Sequence, residues 1–251
     1  MTDPAIPAAT LVIFRERDGA APELLMLERA AAMAFAGGAT VFPGGRVDPG
    51  DVALAATLGW ADPDDGAARV AAIRETLEEA GLAVGFQEQP DGDTVAAMRR
   101  ALHDGQPFAA VLAATGQQLA PERLAPFARW RPDHPGMRIF DTRFYLAALP
   151  AGAGPASGDG AEAVTLGWAT AADWLAEAQA GRVRLIYPTR RNLERLARFA
   201  SLDDAVADAR AHPVRTITPW TERREDGDHL CIPDDLGYPV TAERLATAMR
   251  G

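Results

Sequence analysis

The chain contains no lysine; all 25 of its basic residues are arginine. A contact to a phosphate must therefore come from arginine, from one of four histidines, or from backbone amides, and arginine can make it bidentately. Cysteine is nearly absent as well. Cys231 stands alone, which excludes an intrachain disulfide and any multi-cysteine metal site. No apolar run is long enough to span a bilayer, and the N-terminus lacks a basic region followed by an apolar one. The C-terminal stretch Ala248 to Gly251 shows no address signal. Positive charge is in deficit: the formal net charge is −10, so the chain lacks the electrostatic footprint of a non-specific nucleic-acid binder. These absences lead to the expectation of a soluble cytoplasmic protein with no nucleic-acid and no membrane partner. The 251 residues, 48% hydrophobic, suffice for one ample core with a small accessory lobe.

The most informative stretch is Arg74-Glu75-Thr76-Leu77-Glu78-Glu79-Ala80-Gly81-Leu82. On a helix, Glu75, Glu78 and Glu79 stand at i, i+3 and i+4 and share one face. Like charges at that spacing repel. Arg74 reaches Glu78 at i+4, but one guanidinium does not neutralise three carboxylates. A hard divalent cation would, since Mg²⁺ takes oxygen ligands from one or two carboxylates plus substrate phosphates. Taken alone, the cluster reads as a solvated acidic face. Upstream lies Phe42-Pro43-Gly44-Gly45-Arg46-Val47-Asp48-Pro49-Gly50-Asp51, where two glycines allow close backbone approach to an anion or a metal.

Together the two stretches resemble the Nudix box, G-x5-E-x7-R-E-U-x-E-E-x-G-U with U apolar. Gly45 matches the leading glycine, and Arg74, Glu75, Glu78, Glu79, Gly81 and Leu82 match the second half. Asp51 stands where the box has Glu, and Thr76 occupies an apolar position. Residues 52–73 replace the short spacer, and Trp60 to Gly66 reads as a loop bulging from the box, with Asp64 or Asp65 capping the helix that follows.

The rest of the chain reads as a mixed sheet between helices. Thr10–Phe14 and Glu23–Glu28 form an antiparallel pair of strands, with Arg29 at the strand end. Thr40–Phe42 leads into the glycine turn. The box helix spans roughly 66–80, with Val70, Ile73 and Leu77 inward and Gly81 in the left-handed stop position. Leu82–Val84 begins a strand. Residues 91–128 form a helical insertion, with starts near Asp93, Pro107 and Pro121. Strands follow over 127–130, 138–149 and 162–168, with His134 in a turn, then a helix over 171–180. A helix over 189–200 presents Arg190, Arg191, Arg195 and Arg198 as a solvated face. Another helix covers 201–211, and strands cover 214–220 and 229–232 around a charged turn.

The resemblance implies an α/β/α sandwich, with a core over about 8–181 and a C-terminal extension over 182–251. Val41–Gly45, Arg138–Phe144, Tyr187-Pro188-Thr189 and Ile232–Pro239 are similar to segments of the Nudix branch that includes animal peroxisomal coenzyme A diphosphatases and bacterial relatives. Against the motif of coenzyme A-cleaving members, the chain keeps Arg29 and Gly38 but has Leu27 and Ala34 where that motif has Thr and Arg.

The reaction implied is hydrolysis of the diphosphate in a nucleoside diphosphate linked to another group. Coenzyme A or an acyl-coenzyme A is the candidate substrate, and ADP-ribose or another dinucleotide the alternative. By resemblance, Glu75, Glu78, Glu79 and the Gly44 carbonyl hold Mg²⁺, with Mn²⁺ as the alternative metal. Arg74 orients the glutamates, and Glu162 is the candidate general base with Asp159 behind it. Arg29, Arg46 and Arg143 are candidate phosphate contacts, with strand-end solvation or structural ion pairs as the competing role. A homodimer is compatible with the family. The competing reading is a catalytically silent Nudix-fold module that binds a nucleotide or a protein partner.

Overall fold

The computed structural model of the protein describes residues 5–31, 36–133, 138–160 and 163–248. The strands are β1 (Ile6–Arg17), β2 (Ala20–Arg29), β3 (Thr40–Val41), β4 (Gly44–Arg46), β5 (Ala125–Trp130), β6 (Phe140–Ala148), β7 (Ala163–Thr170), β8 (Thr216–Ile217), β9 (Trp220–Arg224), β10 (Gly227–Cys231) and β11 (Ala242–Arg244). The helices are α1 (Pro49–Thr57), α2 (Pro63–Ala80), α3 (Gly92–His103), α4 (Phe108–Thr115), α5 (Ala171–Gln179), α6 (Tyr187–Leu196), α7 (Leu202–Ala211) and α8 (Leu245–Ala248).

β1 organises the sheet. It pairs antiparallel with β2 and β4 and parallel with β6. The order is β3-β2-β1-β6-β5-β8, with β7 beside β2. Side chains alternate along a strand. Ala9, Leu11 and Ile13 enter one core with Val70, Ile73 and Leu77 of α2. Val12 and Phe14 enter a second core with Leu193 and Leu196 of α6. Helices therefore cover both faces, and the architecture is the expected α/β/α sandwich around a mixed sheet. Val70, Ile73 and Leu77 are fully buried, each worth about 1.5–3 kcal/mol relative to exposure.

The segment between the two halves of the box is mostly helix. Asp48 N donates to Asp51 Oδ2 at 2.9 Å, the return bond of a capping arrangement that starts α1. α2 begins at Pro63, earlier than the sequence expectation. Its cap is Asp62, which accepts from the amides of Asp64 and Asp65; those two carboxylates sit in the first turn, where the helix dipole favours them.

Three other expectations are corrected. Leu82–Val84 is buried but unpaired, because the chain turns at Gly85 (φ +82°) before it can join a strand. The strand expected over 214–220 breaks into β8 and the start of β9, and the β9–β10 hairpin belongs to a separate three-stranded sheet. Arg191 and Arg195 are not solvated. α6 packs between the main sheet and the later chain, where Arg191 meets Glu194 and Glu243, and Arg195 meets Asp208. Arg198 is exposed, as expected.

The inserted helices α3 and α4 place Met98, Leu102, Phe108, Val111 and Leu112 in the α2-side core. They form part of the layer rather than an appendage. Among the described residues, no helix is long and apolar enough to cross a membrane.

Candidate active site

The site forms where the β4 turn meets the C-terminal half of α2. A Cβ on Gly44 would collide with the Ala9 carbonyl, and one on Gly45 would collide with the Glu75 carboxylate. The two glycines thus let β4 lie against β1 while Glu75 fits beneath it. Gly44 N donates to Glu79 Oε2 at 2.8 Å, which ties the turn to the helix.

Arg74 is the hub. Its Nε and Nη2 each donate to Asp51 at 2.9 Å, a bidentate pair across the inserted helix. Its Nη1 donates to Glu75 Oε1 and to Glu78 Oε2, both at 2.9 Å, and Nη2 also donates to the Arg46 carbonyl at 3.0 Å. Asp51 is 1% exposed. The long insertion leaves the two halves of the box joined because Asp51, at the third position of α1, is carried back onto Arg74.

The charges do not balance. Burial pushes Glu75 up to about 7; Glu78 and Asp51 add to the rise, and Arg74 opposes it. Burial also raises Glu78, against the pull of Arg74. Burial works against the charge on Arg74, yet Asp51, Glu75 and Glu78 hold it well above the usual arginine value. Among the described residues, no three His, Cys, Asp or Glu side chains converge as a ready metal cage. Glu75 and Glu78 turn to Arg74, and Glu79 turns to Gly44 and, at 3.7 Å, to Arg29. The donor set is still one of hard oxygens in excess over cationic charge, which suits a divalent ion.

The carboxylates open into a cleft of about 830 Å³. Arg29 and Arg46 line it with them. Arg29 Nε is buried with no hydrogen-bond partner among the described residues. Asp159 also lines the cleft, and its Oδ1 accepts from Ala163 N at 2.9 Å. Glu162 lies outside the described residues, as does His134.

Arg143 does not reach the cleft. Alternation along β6 sends Phe140, Thr142 and Phe144 to the cleft and Arg143 to the other face. There it stands 3.6 Å from Asp65, which also accepts from Tyr145. Thirteen residues separate Asp65 from Glu78, about 20 Å of helix.

Three contributions were not assigned to the site from the sequence, although Phe140, Phe144, Pro188 and Thr189 fall in segments similar to the Nudix branch. Trp130, Phe140 and Phe144 add apolar side chains to the lining of the cleft. Ile186, Pro188 and Thr189 at the start of α6 line the same cleft from the C-terminal segment. Arg99 and His103 of α3 meet the C-terminal end of α2. No local spacing signals these contacts, since each joins elements far apart in the chain.

No protein-family model matches the chain, and no curated protein does. Solved structures do match. A NUDIX hydrolase from Alicyclobacillus acidocaldarius superposes with a TM-score of 0.70 at 29% identity, covering 82% of this chain and 97% of that one. The chain has the Nudix hydrolase fold. A MutT protein from Methanosarcina mazei Go1 matches at a TM-score of 0.47 and 16% identity, over 79% of this chain and 96% of that one. Within the Nudix fold, the acidic end of α2 and the glycine turn of β4 face the same cleft.

Proposed function

We propose that the protein is a divalent-metal-dependent hydrolase that cleaves the diphosphate bond of a nucleoside diphosphate linked to another moiety, with coenzyme A or an acyl-coenzyme A as the first candidate. One observation carries this reading. Glu75, Glu78 and Glu79 line one large cleft, the first two sharing Arg74 and the third set against Gly44 and Arg29, and Arg46 lines the same cleft. The structural likeness to a NUDIX hydrolase supports the same reaction class.

Glu75, Glu78 and Glu79, with the Gly44 carbonyl, are the residues that would hold Mg²⁺ or Mn²⁺. Bound there, the ion would lower the pKa of an attacking water and neutralise charge on the phosphoryl oxygens. The protein's own groups do the rest. Arg74 holds Glu75 and Glu78 in one orientation. Arg29 and Arg46 present guanidinium donors to the diphosphate from the cleft wall. Glu162, with Asp159 behind it, is the candidate for the carboxylate that accepts the water's proton. Trp130, Phe140 and Phe144 pack against the part of the substrate beyond the diphosphate.

A second reading rests on the carboxylates already engaged by Arg74 and Gly44. It describes a silent module that binds a nucleotide without cleaving it. A substrate panel with Mg²⁺ and Mn²⁺ separates the two. It contains coenzyme A, acetyl-coenzyme A, ADP-ribose, NADH, diadenosine polyphosphates and nucleoside triphosphates, with products resolved by mass. Release of 3′,5′-ADP and a phosphopantetheine from coenzyme A supports the full proposal. Cleavage of another compound, abolished by Glu78→Gln, keeps the reaction and discards coenzyme A. Binding without cleavage under either metal overturns the enzyme reading.

A further inference from the structure

We propose that Arg99 is a positioning residue. It docks the loop carrying Asp159 onto the C-terminal end of α2, and so fixes that carboxylate relative to Glu78 and Glu79. The catalytic consequence rests on the reaction proposed above; the docking does not.

A helix ends with four carbonyls that have no partner within it. In α2 these are the carbonyls of Leu77, Glu78, Glu79 and Ala80, and all four find donors. Gly81 N donates to Leu77 O at 3.1 Å. Arg99 Nε donates to Glu78 O at 2.8 Å, and Arg99 Nη2 to Glu79 O at 3.2 Å. Ser157 N donates to Ala80 O at 2.9 Å. The same guanidinium reaches across to the loop, with Nη2 donating to Ser157 O at 2.7 Å and Nη1 to Ser157 Oγ at 2.9 Å. One side chain thus joins three segments: α3, the end of the helix that carries the glutamates, and the loop two residues before Asp159.

The loop needs such a tie. Ala151 to Gly160 is built almost wholly of Gly, Ala, Pro, Ser and Asp, and most of it is exposed. A chain of that composition has high conformational freedom and little apolar surface with which to place itself. Ser157 is its docking point. Beyond it, Gly158 fits closely under the Ala163 carbonyl, where a side chain would clash, and Asp159 Oδ1 accepts from Ala163 N. Asp159 is therefore held between the start of β7 and the Arg99 clamp, with its side chain at the cleft.

The box glycine makes room for this arrangement. Gly81 has φ +66°, and a Cβ there would press on Arg99 Nη1 at 3.0 Å and Ser157 Oγ at 3.3 Å. A planar fork with several fixed donors suits this set of acceptors; a lysine ammonium on its flexible stem could not span them. A plain helix cap would need only the bonds to Glu78 and Glu79. The two bonds to Ser157 are what a loop-positioning role requires.

The test compares Arg99→Ala and Arg99→Lys with the wild type, by amide hydrogen exchange and by kinetics on whichever substrate the panel identifies. Exchange over residues 150–160 should rise about tenfold in Arg99→Ala while the sheet is unchanged. With a substrate in hand, kcat should fall about 10²-fold, as for a misplaced catalytic group, with KM within about twofold. Arg99→Lys should stay low despite keeping the charge, and free guanidinium should restore part of kcat in Arg99→Ala alone. Unchanged loop exchange in a folded variant would overturn the docking. Raised exchange with kcat intact would overturn the positioning role. A wild type inactive on the whole panel would sink the proposed reaction, and loop exchange would still decide the docking. Should Arg99→Ala fail to fold, Arg99→Lys carries the same measurements.

Discussion

Arg74 on α2 and Arg191 on α6 are both buried among carboxylates, yet the charge around them differs. Arg191 sits 2.7 Å from Glu194 and 3.1 Å from Glu243, and Arg190 adds a second cation 3.5 Å from Glu243. Two arginines meet two carboxylates, and the cluster is neutral. Arg74 alone holds Asp51, Glu75 and Glu78 at 2.9 Å, with Asp48 at 3.7 Å. Burial raises the pKa of Glu194 as it does those of Glu75 and Glu78. A raised carboxylate is therefore not what marks a site. The mark is an uncompensated surplus of carboxylates that opens onto a cleft.

The largest effect expected from this contrast is on stability. Arg74→Met removes the cation from Asp51, which has almost no access to water. Breaking a buried pair from one side should cost about 3–5 kcal/mol, read from urea unfolding of the metal-free protein. A loss under about 1 kcal/mol would mean that Arg74 does not hold the cluster together.

The second expectation concerns metal. Free Mg²⁺ at about 100 times its Kd should stabilise the wild type by about 2.7 kcal/mol, seen as a rise in Tm. The shift should vanish in the double variant Glu78→Gln, Glu79→Gln and persist in Arg191→Met. Loss of the shift in the Arg191 variant would dissolve the contrast between the two clusters.

The same two clusters show what the sequence made legible. The period of Val70, Ile73 and Leu77, the stop at Gly81 and the shared face of the glutamates are local properties, and each reappears in α2. The apolar run Leu11–Phe14 likewise read as strand, and both faces of β1 are buried there. What local pattern could not show was which partner comes back. The bond between Asp51 and Arg74 spans 23 positions and depends on α1 folding back along α2. Arg191 looked solvated because its partner Glu243 lies 52 positions away. Arg143 failed for a narrower reason. Alternation fixes that it opposes Phe144 across the strand, but only the assembled sheet decides which of the two faces the cleft.

A third expectation sharpens the comparison from the balanced side. Arg191→Met combined with Glu194→Gln removes one charge of each sign from α6 and should change stability by no more than about 1 kcal/mol, since neutralising a buried pair together is close to neutral. Equilibrium unfolding checks this. A loss of several kcal/mol would show that the α6 pair is held for its geometry and not merely tolerated.

The smallest effect is the most diagnostic of the surplus. Glu75 has a folded-state pKa raised from 4.5 to about 7, so its ionised form weakens the metal-free fold, and that cost grows as pH rises from the lower value through the upper one. Glu75→Gln keeps the shape and removes the charge, but it also loses the ionic bond to Arg74. The net gain should be about 1 kcal/mol at pH 8, below the full value of the shift. Saturating Mg²⁺ should reverse the order, because the wild type gains a ligand that the variant lacks. Measuring both proteins with EDTA and then with Mg²⁺ therefore tests for a change of sign. A variant less stable in both conditions would make Glu75 a structural partner of Arg74. A crossing of the two would identify its charge as one the fold carries for the metal.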